Sequence, residues 1–299
     1  MDSVWERYNK QIKEMMANTN GHHVITEENI LQEANLKNRE IFYTIVEDLM
    51  LPGSKIRNFE NLIQLHNLAK EGKSTLILME HYSNFDLPSF FNLIERADEK
   101  IGKSITESLI AMAGMKLNEE SPVVLAFTES FSRIVIYPSR SLKKITDPEQ
   151  REEETQKSKS INLAAMKAMT KAKYNGKTIL VFPAGTRYRP GHPETKKAVP
   201  EMDSYLKSFE YAVFIGINGN ILHINESGQM QEDLAHEDVI SYTVSPVIKT
   251  KEFRNQSKDT LPEGYDVKQW TADRIMKELE KIHEEGEIYH QNQLSKLNS

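Results

Sequence analysis

Apolar residues recur at Val4, Tyr8, Ile12, Met15 and Met16 across VWERYNKQIKEMMANT, the three-to-four spacing of one helical face. Thr26 opens a second such pattern, TEENILQEANLKNREIFYTIVEDLML, with Glu28 in its first turn and Pro52-Gly53 as its stop. A third, NFENLIQLHNLAKEG, runs from Asn58 to Gly72. Residues 1–72 are therefore expected to form a small helical subdomain packed on the remainder, residues 73–299.

From residue 74 the pattern changes. Short apolar runs, TLILM, SLIAMAG, SPVVLAF, RIVIYP, TILVFP, YAVFIGI and DVISYTVSPVI, have the length of buried strands. Helical patterns, DLPSFFNLIER and INLAAMKAMTKAKY, alternate with them. This alternation predicts an α/β domain with a mixed, largely parallel sheet flanked by helices and a site at the carboxyl ends of the strands. The stretch KKITDPEQREEETQKSKS reads as an exposed loop, and VKQWTADRIMKELEKIHEEGEIYHQNQL as a closing amphipathic helix.

Composition narrows the function classes. Hydrophobic residues make up 38% of the 299 positions, enough for a core, while charged residues make up 27%. No apolar run approaches the roughly 18–20 residues of a membrane-spanning helix. The N-terminal stretch has neither an apolar signal core nor an Arg/Ser-rich transit pattern, so a cytoplasmic location is expected. The absence of cysteine excludes disulfides, thiolate catalysis and cysteine-based zinc sites. A net charge of -6 argues against non-specific nucleic-acid binding. There is no GxGxxG, no Walker A sequence and no GxSxG elbow, so nicotinamide, ATP and serine-hydrolase readings lack support.

Two segments carry candidate chemistry: HYSNFD at 81–86 and FPAGTRYRPG at 182–191, each directly after an apolar run. His81 and Asp86 are close enough in the chain for the carboxylate to hold one imidazole nitrogen and leave the other free to take a proton. Taken alone, Asp86 also reads as a helix cap, with Pro88 in the first turn, and His81 as a loop residue. Arg187 and Arg189 alternate in GTRYRPG and would project to one side of an extended segment, flanking Tyr188. With the amides of Gly185 and Thr186 they suit a phosphate monoester, although two surface arginines on a solvated turn is the plain alternative. Arg140 follows a third strand and is trailed by Lys143 and Lys144. Three strand ends on one edge of a parallel sheet converge, which favours a site over three separate loops. His22, His23, His192, His283 and His290 are scattered and read as unremarkable.

HYSNFD resembles the histidine–four residues–aspartate motif of the glycerolipid acyltransferases, and FPAGTR their phosphate-binding FPEGTR motif. The series AGMKL, SRIVIYPSR and RYRPG is similar to the soluble, plastid-type glycerol-3-phosphate acyltransferases over roughly residues 70–225. The resemblance implies acyl transfer from acyl carrier protein or a coenzyme A thioester to the sn-1 hydroxyl of glycerol 3-phosphate. His81 would be the general base, Asp86 its orienting partner, and Arg140, Arg187 and Arg189 the phosphate-binding residues. No metal, cofactor or covalent enzyme intermediate is implied. Ala184 departs from the glutamate of the commoner motif, and Ser141 from a second basic residue beside Arg140. The amphiphilic product leaves transient, peripheral membrane contact open. The alternatives are sn-2 acylation of lysophosphatidic acid and a non-catalytic phospholipid- or acyl-carrier-binding protein.

Overall fold

The computed structural model describes residues 1–119, 121–143, 145–225 and 229–298. Ser3 caps α1 (Val4–Ala17) in a capping box with Glu6, and Val4, Tyr8, Ile12 and Met15 form its buried face. The second pattern is helical only from Asn35 onward. Asn35 accepts the Asn38 N–H to open α2 (Leu36–Leu49), while β1 (Leu31–Gln32) pairs antiparallel with a sheet strand. Ile25 and Ile30 are drawn into the core there, so tertiary packing overrides the helical periodicity of residues 26–34. After β2 (Lys55–Arg57), Asn58 precedes α3 (Phe59–Lys70) as expected.

The strand–helix region runs β3 (Thr75–Met79), α4 (Asp86–Ala97), α5 (Glu99–Ser108), β4 (Leu109–Gly114), α6 (Lys116–Glu119) and α7 (Pro122–Glu129). The expectation of a strand at SPVVLAF is wrong. Ser121 accepts the Val124 N–H and Pro122 sits in the first turn, a strong helix start, and the run is apolar all round because the helix is buried. Next come β5 (Arg133–Ile136), α8 (Ser139–Lys143) and α9 (Pro148–Tyr174). The expected loop before INLAAMKAM is also corrected. Asp147 accepts the Gln150 N–H and Pro148 opens a 27-residue helix whose first turns are polar because they stand in solvent. Lys144 and the side chain of Lys143 lie outside the described residues.

The remaining elements are β6 (Thr178–Val181), α10 (Met202–Ser208), β7 (Tyr211–Asn218), β8 (Leu222–His223), β9 (Leu234–Ala235), β10 (Ser241–Val244), β11 (Ile248–Lys249), α11 (Thr250–Asp259) and α12 (Val267–Leu297). Among the described residues nine strands form one sheet, in the order β1-β5-β4-β6-β3-β7-β10-β2 with β11 also on β7. From β5 through β7 the neighbours are all parallel. The chain is thus an α/β protein with a mixed, mostly parallel sheet flanked by helices.

Alternation along β3 divides the core. Ile77 and Met79 face one side, with α1, α2, α4 and α7; Leu76 and Leu78 face the other, with α9, α10 and α12. Because β3 and β6 are adjacent and parallel, the segments that follow them emerge side by side, about 5 Å apart. The end of β5 lies on the same edge, two strands beyond β6 and so roughly 10 Å away. Among the described residues no helix is long and apolar enough to cross a membrane.

Candidate active site

Asp86 is the first residue of α4, yet its carboxylate folds back on the preceding loop. Oδ2 accepts from the Tyr82 N–H at 2.7 Å, the Ser83 N–H at 2.9 Å and His81 Nδ1 at 2.8 Å; Oδ1 accepts from the Ser83 hydroxyl at 3.0 Å. The Tyr242 hydroxyl, buried beneath, donates to the Asp86 carbonyl at 2.7 Å. The carboxylate is buried and its bonds are those of an ionised acceptor. A carboxylate cannot donate, so the proton of this bond sits on His81 Nδ1, and in the neutral imidazole the lone pair is then on Nε2.

Two contacts join the HYSNFD loop to the second segment. The His81 ring stacks on Phe182 with centroids 4.0 Å apart and planes 17° apart. The Tyr188 N–H donates to the His81 carbonyl at 2.8 Å, and the Tyr82 and Tyr188 rings meet edge to face. The imidazole is thereby fixed in plane by Phe182, in rotation by Asp86 and along the chain by Tyr188.

The second segment turns at Gly185, whose φ of 64° suits glycine, and the Gly185 N–H closes the turn onto the Phe182 carbonyl at 2.9 Å. That amide, expected on an anion, is already engaged. The Thr186 amide has no protein partner among the described residues. Arg187 and Arg189 occupy different surroundings. Arg187 Nη1 binds Asp233 Oδ2 at 2.7 Å, with the arginine side chain 14% exposed and the aspartate side chain 0%. Asp233 Oδ1 also accepts the Asn225 N–H at 3.0 Å. Arg189 stands in solvent on a turn whose backbone is closed by the His192 N–H and the Thr195 hydroxyl. Arg140, on α8, reaches the Lys197 carbonyl at 3.4 Å, on the continuation of this same loop.

Sequence reasoning overlooks four residues here. Glu80, one position before His81, is buried and accepts from the Tyr82 hydroxyl at 2.9 Å, the Ile217 N–H at 2.9 Å and His283 Nδ1 at 2.9 Å. Burial works against a charged His283, but the Glu80 bond and charge outweigh it and raise its pKa. Burial, then Glu80, pushes the Tyr82 phenol upward. His283 lies on α12, so this network ties the closing helix to the loop that carries His81. Lys196 lies 5.3 Å from the Tyr188 ring centroid and 6.0 Å from that of Tyr82. Asp233 is the fourth, and only its adjacency in a sequence of several acids marks it.

Between these groups is a cavity of about 20 Å³, lined by His81, Tyr82, Ala184, Tyr188, Lys196 and Met276. It is the size of one water, so a substrate would lie on the open strand-end surface rather than inside it. Among the described residues no three His, Asp or Glu side chains cluster as a metal site. What the arrangement offers is an oriented imidazole backed by a buried carboxylate, with guanidinium groups on the adjoining loop. No protein-family model matches this chain, and neither does any curated protein.

Proposed function

We propose that the protein is an acyltransferase that moves a fatty acyl group from acyl carrier protein or a coenzyme A thioester to the sn-1 hydroxyl of glycerol 3-phosphate. The observation that carries the reading is the 2.8 Å bond from His81 Nδ1 to Asp86, which leaves Nε2 as a base at the edge where the second segment emerges. An alcohol is a weak nucleophile at neutral pH, so a base that removes its proton during attack is what this transfer requires.

In the proposed sequence His81 Nε2 takes the hydroxyl proton while the alcohol oxygen attacks the thioester carbonyl. Asp86 stabilises the imidazolium formed. The tetrahedral intermediate collapses by breaking its C–S bond, and the imidazolium returns the proton to the departing thiolate. The products are the monoacyl phosphate ester and free thiol, and His81 is again neutral. Arg187, Arg189 and Arg140 would hold the acceptor phosphate, with the Thr186 amide as a further donor. Asp233 removes part of the charge of Arg187, so Arg189 supplies the less compensated cation of the pair. Both proposed substrates are water-soluble, which fits a cytoplasmic enzyme.

The test is release of free thiol from acyl carrier protein and coenzyme A thioesters, with and without glycerol 3-phosphate. Release that depends on glycerol 3-phosphate and yields a monoacyl product supports the reading. Release that depends instead on lysophosphatidic acid moves the reaction to the sn-2 position, and no release with either acceptor refutes acyl transfer.

A further inference from the structure

Helix α9 packs on the sheet through Ile161, Ala165, Met169 and Ala172, and its opposite face meets solvent. On that outer face Leu163, Met166 and Tyr174 are 55%, 61% and 63% exposed, far more than large apolar side chains that serve the fold. With Lys159, Lys167 and Lys171 they follow steps of three, four and seven residues, forming one mixed apolar and basic surface along the last turns. From Thr155 to Lys177 the sequence holds six lysines and no carboxylate. Three of the six are spoken for: Lys157 lies 3.9 Å from Glu154, Lys173 donates to the Ser208 carbonyl and Lys177 to the Glu107 carbonyl. The remaining three, Lys159, Lys167 and Lys171, have no carboxylate partner among the described residues.

We propose that this outer face of α9, residues 159–174, docks the protein on an anionic phospholipid surface, with Leu163, Met166 and Tyr174 entering the headgroup region and Lys159, Lys167 and Lys171 pairing with lipid phosphates. The combination of a basic rim and large apolar side chains on one helix face is what interfacial binding requires. Size separates this occupant from a protein partner. From Leu163 to Tyr174 is about 16 Å of helix, a convex strip far smaller than the roughly 800 Å² per partner of a stable protein interface. Shallow insertion into lipid needs no matching concavity.

The flanking charges set the orientation. Glu149, Glu152 and Glu153 are exposed on the first turns, and Glu27 accepts from Ser160 at the margin of the patch, so an anionic surface is repelled by the first turns and meets the helix from Lys159 onward. Since α9 leads into β6, its C-terminal half lies away from the edge where His81 emerges. Docking there leaves the candidate site open to water-soluble molecules. The proposal rests on the α9 surface alone and stands or falls independently of the acyl-transfer reading.

The test is co-sedimentation of the full chain with vesicles of phosphatidylcholine alone and of phosphatidylcholine mixed with phosphatidylglycerol, at low and high salt. Binding is expected on the mixed vesicles at low salt, with little on phosphatidylcholine and little at high salt. Replacing Lys159, Lys167 and Lys171 together by Gln is expected to weaken partitioning on the order of 100-fold. A separate variant, L163S/M166S, should weaken it at least about tenfold. These positions are exposed, and an unchanged circular dichroism spectrum and melting curve would establish that the variants fold. Absence of wild-type binding, equal binding to both vesicle types, or undiminished binding by both variants would overturn the proposal. So would capture by an acidic carrier protein, lost in the lysine variant, without any vesicle binding.

Discussion

Replacing Asp86 by Asn tests the proposed base and its support with almost no change of shape. The Asn oxygen can occupy the Oδ2 position and still accept from Tyr82, Ser83 and His81, while its amide faces the Ser83 hydroxyl, which can turn to accept. Four charge-assisted bonds become neutral ones, the one with the Ser83 hydroxyl also reversing direction, each losing about 1 kcal/mol. Relief of carboxylate desolvation offsets part of this, so the net loss of folding stability should be roughly 1–3 kcal/mol. The catalytic effect should be larger. A carboxylate about 4 Å from the imidazolium charge, at an effective dielectric of about 20, contributes around 4 kcal/mol to the charged form. Loss of that term corresponds to a fall in kcat on the order of 10²–10³-fold. If the Asn amide instead donates to Nδ1, the proton moves to Nε2 and the base is blocked, which also lowers kcat. The assay is thiol release at saturating glycerol 3-phosphate, with urea unfolding as the stability readout. KM for glycerol 3-phosphate should stay within a few-fold of wild type. A folded Asp86→Asn protein with kcat within a few-fold of wild type would refute the role given to this pair.

Asp233→Asn should raise the KM for glycerol 3-phosphate about tenfold with a smaller change in kcat, because the loss of the charge-assisted bond that positions Arg187 outweighs the charge it regains; steady-state kinetics would check this. Asp233→Ala should cost about 3–5 kcal/mol in urea unfolding, since it strands a mostly buried guanidinium. His283 and His290 both have raised pKa values in the folded state, His283 through Glu80 against burial and His290 chiefly through its bond to Asp238. A raised folded pKa gives stability that is fully present below the unfolded value of about 6.5 and is lost as pH rises through the folded value. Unfolding titrations of wild type and the H283Q/H290Q variant should therefore diverge most at acid pH and converge above neutrality; a constant difference would contradict the assignment. Gly185→Ala should lower stability by about 1–2 kcal/mol from backbone strain alone, because the nearest atom to the added Cβ is Val199 Cγ1 at 4.0 Å. Thermal unfolding would detect it.

The parallel centre of the sheet was legible because TLILM and TILVF are apolar on both faces, as only strands covered on both sides are. The same logic misled at SPVVLAF, where a buried helix and a buried strand have equally apolar runs and Ser121-Pro122 was the deciding signal. Asp147-Pro148 carried the same signal ahead of α9, hidden by the charge of the turns that follow. The His81–Asp86 contact was readable because only five positions separate His81 from Asp86 at the start of α4. Glu80–His283 joins residues 203 apart and Arg187–Asp233 residues 46 apart, and no periodicity or spacing announces such pairs. They arise from where α12 and the segment before β9 pack. The differing burial of Arg187 and Arg189 is likewise a consequence of Asp233, which alternation along GTRYRPG cannot reveal.

The most direct measurement pairs turnover with acceptor binding in His81→Ala. The account predicts that thiol release dependent on glycerol 3-phosphate falls at least about 10³-fold, while calorimetry gives an acceptor affinity within a few-fold of wild type. Turnover retained by the folded variant would contradict the assignment of His81 as the base.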